Sequence, residues 1–164
     1  MSRKIAIEAL GVNNWLKICD LSVSDEQKAF FPIPNVYWIG ISRYEEKSEL
    51  FAIKADNDYV GLIGGGYDKD GITGYVNPIM IDYRYQKNGF AKPALRLIIE
   101  YLRDSLSVER VNINHRKENV VAGKIYESLG FFIRNETDDE HQRQIDLVNF
   151  LALGYRGINP MQRR

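Results

Sequence analysis

An apolar run ending Ile79-Met80-Ile81 passes through Gln86-Lys87-Asn88-Gly89-Phe90-Ala91 into a helical pattern beginning near Lys92. A strand that hands a small-residue turn directly to a helix N-terminus fixes the chain direction, the placement of several backbone N–H groups and the sign of the helix dipole facing the turn. Gly89 and Ala91 are small where a backbone folded around a diphosphate must bring its N–H groups close. The helix that follows points its positive end at such an anion. Six residues with one glycine also fit an ordinary strand-to-helix connection, so the segment needs a second signal beside it.

Asn119-Val120-Val121-Ala122-Gly123-Lys124-Ile125-Tyr126-Glu127-Ser128-Leu129-Gly130-Phe131 supplies one. Ala122, Ile125, Tyr126 and Leu129 fall at i, i+3, i+4 and i+7, an apolar stripe on a helix facing a core. Gly130 is the expected left-handed stop before a strand at Phe131. The stripe alone makes Tyr126 a core tyrosine. Two motifs in this order, ~30 residues apart with one helix and one strand between them, reverse that preference.

Read as Gln-x-x-Gly-x-Ala and Asn-x-x-Ala-x-x-Ile-Tyr-x-x-x-Gly-Phe, the segments resemble the acetyl-CoA loop and the second cofactor motif of the GNAT superfamily of N-acetyltransferases. The resemblance implies that Gln86, Lys87, Asn88, Gly89, Phe90, Ala91 and Lys92 hold the diphosphate. It further implies that backbone groups of Ile79, Met80 and Ile81 hold the pantetheine and polarise the thioester carbonyl, and that Asn119 contacts the cofactor. Tyr126 resembles the family's general acid, placed to protonate or hydrogen-bond the departing thiolate. The implied cosubstrate is acetyl-CoA, with no metal, and the implied reaction is direct acetyl transfer to a primary amine. The strand Thr73–Ile81 has no carboxylate or histidine, so deprotonating the amine falls to water or to a residue elsewhere.

Leu21 to Phe30, Val60-Gly61-Leu62 and Ile81 to Ala91 look like bacterial spermidine or diamine acetyltransferases of the group, over about residues 5–147. A polyamine or diamine is therefore the implied acceptor. Asn77-Pro78 stands before the apolar triplet where those relatives commonly carry an aromatic or charged residue. Another amine (an amino acid, a protein N-terminus or an antibiotic) and a non-catalytic acyl-CoA-binding module are the alternatives.

Composition narrows the partners. Lys plus Arg and Asp plus Glu both number 22, so no global field draws nucleic acid or an anionic membrane, and the expected partner is a small-molecule amine. A homodimer is a possible assembly. Local negative charge is available at Glu45, Glu46 and Glu49 and in the Glu136–Glu140 turn, although a solvated segment is the simpler reading of each. Cys19 is the only cysteine, which excludes an internal disulfide and fits a reducing, cytoplasmic setting. No apolar run approaches the ~20 residues of a membrane span. His115 and His141, the only histidines, read as solvated residues in polar connections, too few and too separated for a metal site.

At 164 residues the chain is long enough for one core, with a single acetyltransferase domain over 1–153 and a tail over 154–164 that lacks periodicity. Expected elements are a strand Lys4–Glu8, a helix Asn13–Asp20, a helix opened by the capping box Ser24-Asp25-Glu26-Gln27, and a helix Asn35–Tyr44. Strands Leu50–Lys54 and Tyr59–Tyr67 flank a hairpin, and Thr73–Ile81 follows. After the Lys92–Ser105 helix come strands Arg110–Asn114, Phe131–Arg134 and Gln144–Phe150, the last two joined by the acidic turn. Gly64-Gly65-Gly66 marks a bulge or a close backbone approach. Pro78 inside a central strand fits either a bulged or edge position or a strand that splays from its neighbour. The order is that of an α/β chain of α+β type, the GNAT fold: a mixed, mostly antiparallel sheet with helices on both faces and a splayed central strand pair.

Overall fold

Alternation along Ser48–Ala55 (β2) sends Leu50 and Ala52 to one side of the sheet and Phe51, Ile53 and Ala55 to the other, and all five are buried. The computed structural model, which describes residues 3–148, builds a seven-stranded sheet around this strand in the order β1-β2-β3-β4-β5-β7-β6. Its other strands are Ile5–Ala9 (β1), Asp58–Tyr67 (β3), Thr73–Ile81 (β4), Arg110–Arg116 (β5), Phe132–Glu136 (β6) and Glu140–Asp146 (β7). Every adjacent pair is antiparallel except β4 and β5. The expected strand end at Phe150 and the tail 154–164 lie outside the described residues.

Helices cover both faces, as expected. Ala91–Leu106 (α3) buries Ala94, Leu95, Ile98, Ile99 and Leu102 against one face, joined by Val120–Ser128 (α4) through Tyr126. Trp15–Cys19 (α1) and Asn35–Ser42 (α2) lie on the other, where Ile18, Leu21, Leu50, Leu62 and Met80 form a smaller cluster. Burying both faces of the central strands is what makes them apolar on both sides.

Three expectations change. Ser24 makes no side-chain capping bond, and Asp25–Ala29 is a short 3-10 helix; Gln27 turns away from its own backbone and accepts instead from Gln86 Nε2 at 2.6 Å. The last strand begins at Glu140, not Gln144, because residues 140–146 pair along the whole of β5. The third change follows from it: β5 extends to Arg116, so His115 and His141 are paired strand residues rather than solvated connections, and His115 is buried.

Pro78 and the glycine run meet at one irregularity. Gly65 pairs with Val76 and Ile63 with Ile79, so Asn77 and Pro78 stand opposite Gly64 alone. The extra residue inverts the alternation of β4: Val76 faces the larger core before it, and Ile79 and Ile81 face that same side after it. Both readings of Pro78 hold, since this bulge also lies where β4 has left β5: their parallel ladder joins only Thr73–Tyr75 with Arg110–Asn112.

At the close approach, a Cβ on Gly66 would fall 1.9 Å from the Lys47 carbonyl oxygen, whereas one on Gly40 in α2 meets nothing within 4 Å. Gly66→Ala is expected to destabilise the fold by about 1–3 kcal/mol, the cost of overpacking against backbone. Gly40→Ala should instead stabilise by about 0.5–1 kcal/mol through helix propensity. Denaturant unfolding of the two variants reads the difference in sign.

Candidate active site

Beyond Tyr75 and Asn112 the strands β4 and β5 diverge, and the wedge between them opens into a cleft of about 440 Å³ that continues into a narrower space of about 150 Å³. Ile79, Met80 and Ile81 form one wall. Met80 turns its side chain into the smaller core, with Asn35 Nδ2 at 3.8 Å from its sulfur, so it offers the cleft its backbone edge. Asn119, Val121, Ala122, Ile125 and Tyr126 of the α4 segment form the opposite wall, and Phe30 and Phe31 close the side.

The loop leaving β4 is pinned by Asp82, which is fully buried. Its carboxylate accepts from Ser22 N at 3.0 Å, Arg84 N at 3.0 Å and Arg84 Nε at 2.8 Å. Burial pushes the Asp82 pKa up, but the Arg84 guanidinium and the two backbone N–H groups outweigh it and hold the group below its ordinary value. Gln86 donates to the Ile81 carbonyl at 2.8 Å as well as to Gln27, and Asn88 donates to the carbonyls of Tyr85 and Gln86 at 2.9 and 3.1 Å. These amide side chains brace the loop from within.

Lys87 and Gly89 both adopt left-handed backbone, with φ of 64° and 76°. A Cβ on Gly89 meets nothing in the protein, so the glycine answers to its backbone angle and to what approaches the loop. Phe90 anchors the turn by burying its ring in the core, and α3 begins at Ala91. Among the described residues no carbonyl accepts from the N–H groups of Gly89, Phe90, Ala91 or Lys92. Open donors at the start of a sixteen-residue helix, beside the exposed Lys87, fit a diphosphate. The apolar cleft leading away from them fits a pantetheine arm.

Of the twelve residues singled out in the sequence, ten line the cleft or its loop side. Asn88 and Lys92 do not line it; the first closes the loop and the second is half-buried on the first turn of α3. Asn119 caps α4, its Oδ1 accepting from Ala122 N at 3.3 Å, while its position puts it at the junction of the two spaces.

Tyr126 sits at the same junction, 5% exposed, with its phenol pKa pushed up to about 12 by burial and Arg143 acting in the opposite direction. A phenol this hard to ionise holds its proton at neutral pH and serves as a donor. Its ring meets the edge of His115 at 5.5 Å, and His115 packs on His141 at 5.3 Å. Arg143 Nε donates to His115 Nε2 at 2.9 Å, so the His115 proton is on Nδ1 and donates to the Arg116 carbonyl at 2.8 Å. Burial lowers the His115 pKa, Arg143 and His141 add to the effect, and the ring is neutral. With both nitrogens engaged, His115 is no free base. Among the described residues, neither the cleft nor the narrower space has a carboxylate in its lining.

Sequence reading missed Phe30, Phe31, Asp82 and the His115–Arg143 pair. The two phenylalanines carried a weak signal, an apolar pair after a polar segment. Arg143 carried none, because only the register of β7 on β5 sets it beside His115.

Comparison with known proteins agrees with this geometry. The model of the acetyltransferase (GNAT) family matches residues 15–131. The spermine/spermidine N(1)-acetyltransferase of Bacillus subtilis (strain 168) is 28% identical over 145 residues, which is 82% of this chain and 91% of that protein. In fold, the chain is similar to the spermidine N-acetyltransferase of Vibrio cholerae, solved with CoA and spermine, at a TM-score of 0.76 and 16% identity over 90% of this chain and 98% of that one. It is also similar to the Campylobacter jejuni N-acetyltransferase PseH, solved with acetyl coenzyme A, at 0.66 and 16% identity over 87% and 99% of the two chains. With the strand wedge and the braced loop both inside the stretch that the family model matches, the chain belongs to the acetyltransferase (GNAT) family and is an acetyl-CoA-dependent acetyltransferase.

Proposed function

We propose that this protein transfers acetyl directly from acetyl-CoA to a primary amine, and that the amine is a polyamine or diamine. The observation that carries the reading is the wedge between β4 and β5, with Tyr126 at its narrow junction and the N–H groups of the Gly89–Lys92 turn at one end. Acetyl-CoA supplies the acetyl group, and its sulfur leaves as the thiol. The turn from Gln86 to Lys92 holds the diphosphate, and Gln86 and Asn88 keep the turn in shape. The backbone edge of Ile79, Met80 and Ile81, unpaired on its β5 side, holds the pantetheine and aligns the thioester carbonyl. Asn119 fixes the start of α4 and so the place of Tyr126, whose hydroxyl gives a proton to the departing sulfur. Water takes the proton lost by the amine, since His115 is occupied on both nitrogens.

The polyamine acceptor is supported by the name of the Bacillus subtilis relative, matched over nearly its whole length. Asp68 and Glu140, at the far part of the groove that continues from the narrow space, offer carboxylates to a distal ammonium. A second reading has its own observation: Arg116 and Arg134 line that same groove, and two guanidinium groups favour an amine that also bears an acidic group. The domain in this proposal runs to residue 153, the compartment is the cytoplasm, in keeping with the single Cys19, and the partner is a small molecule rather than nucleic acid. Among the described residues no helix is long and apolar enough to cross a membrane.

Gly89→Glu is expected to abolish the rise in melting temperature that CoA gives the wild-type protein, since it adds bulk and negative charge where the diphosphate approaches. An unchanged rise removes the loop from the site.

Thiol release measured across spermidine, spermine, putrescine, a neutral-tailed monoamine and an amino acid identifies the acceptor. With a polyamine acceptor, kcat/KM is highest for spermidine or spermine, and added salt raises KM for these more than for the monoamine. A best substrate that carries an acidic group selects the second reading. In the same assay Tyr126→Phe should bind CoA normally and lose about 10- to 1,000-fold in kcat.

A further inference from the structure

Arg143 is a buried guanidinium without a carboxylate. It is 7% exposed, its Nε donates to a neutral imidazole, and no ion pair among the described residues includes it. Burying a charge this way is costly, and an uncompensated one is kept only where something offsets the cost. The residues around it show where that charge is directed. His115 and Arg143 are diagonal neighbours on one face of the β5/β7 pair, and α4 crosses directly above them at Gly123. A Cβ at Gly123 would fall 2.9 Å from His115 Cε1 and 3.5 Å from Arg143 Nη2, so glycine is what lets the helix sit down on the pair. One turn further along α4 is Tyr126, its ring against the edge of His115. The other titratable group facing this layer is His141, with Glu136 turned outward to His141 and Lys117.

We propose that Arg143, held by His115, is a positioning residue for Tyr126: its fixed positive charge supports the negative charge that develops on the phenol as Tyr126 gives up its proton. The inference rests on the reading of Tyr126 as proton donor. In the step it serves, the C–N bond forms as the C–S bond breaks. The proton of the amine passes to water, the Tyr126 proton passes to the departing sulfur, and Tyr126 recovers a proton from solvent. A preorganised cation beside the donor costs no rearrangement during that step, which is where low-dielectric electrostatics acts most strongly. The downward influence of Arg143 on the phenol, opposing burial, agrees in sign. His115 holds the guanidinium by accepting from it, which requires the neutral ring that its surroundings enforce.

A double-mutant cycle tests this, with kcat and both KM values measured for wild type, Arg143→Gln, Tyr126→Phe and the double variant on the best amine. Arg143→Gln is expected to lower kcat about 10-fold in the wild-type background, leave both KM values unchanged, and cost less than about 2-fold once the phenol is gone. Arg143→Lys, which keeps the charge, should recover most of the loss. Gly123→Ala, which forces His115 aside and meets Arg143 only at ordinary contact distance, should show the same dependence on Tyr126 and serves if Arg143→Gln does not fold. An equal loss in the Tyr126→Phe background overturns the proposal, and so does a raised amine KM with unchanged kcat, which would make Arg143 an acceptor-binding group. Full turnover in Tyr126→Phe alone is a distinct result, since it removes the proton donor itself.

Discussion

The parallel ladder between β4 and β5 lasts for three residue pairs, and the cleft exists because it ends there. Two strands that stay paired leave no room between them, while two that part expose unsatisfied backbone groups that something must meet. Two features accompany the parting. At Asn77–Pro78 an extra residue stands opposite Gly64, and Pro78 has no N–H to lose from a ladder. At the strand's end Asp82 ties the chain to Ser22 and Arg84, so the loop cannot fall back across the gap. The exposed edge that results is the surface on which a pantetheine arm can pair.

The bulge has a second effect, on side chains rather than backbone. By inverting the alternation of β4 it lets Val76 and Ile79 pack on the same core while the strand, past the end of its β5 ladder at Tyr75, stays paired with β3. Glycines at 64, 65 and 66 make room on β3 for this crossing, where the Tyr75 and Lys47 carbonyls approach too closely for any side chain. The cleft, the bulge and the glycine run are thus parts of one packing solution.

Electrostatically the site is uneven. Among the described residues, carboxylates are absent from the lining of the cleft and of its narrow continuation, and the buried charge nearest the proposed proton donor is positive. Such a setting suits the departure of a thiolate more than the activation of an amine. It therefore places the demand for a base on water or on the acceptor's own surroundings, further along the groove where Asp68 and Glu140 lie.

Local chemistry made much of this legible. The 3.6-residue stripe of α4, the left-handed stop at Gly130 and the turn from Gln86 to Ala91 all depend on residues within a few positions of one another, and each appears in the structure where the sequence placed it. Pro78 and Gly64-Gly65-Gly66 announced an irregular strand for the same reason. The capping box at Ser24 failed because Gln27 found a better partner 59 residues away, and the last strand started early because β5 offered it a longer edge. His115 could not be read as buried, nor Arg143 as its neighbour, because strand pairing fixes both and the sequence carries no record of register. Short-range backbone preferences thus determined the motifs and the fold class, while the depth of the cleft, the brace beneath its loop and the charge behind Tyr126 were decided only when distant strands chose their partners.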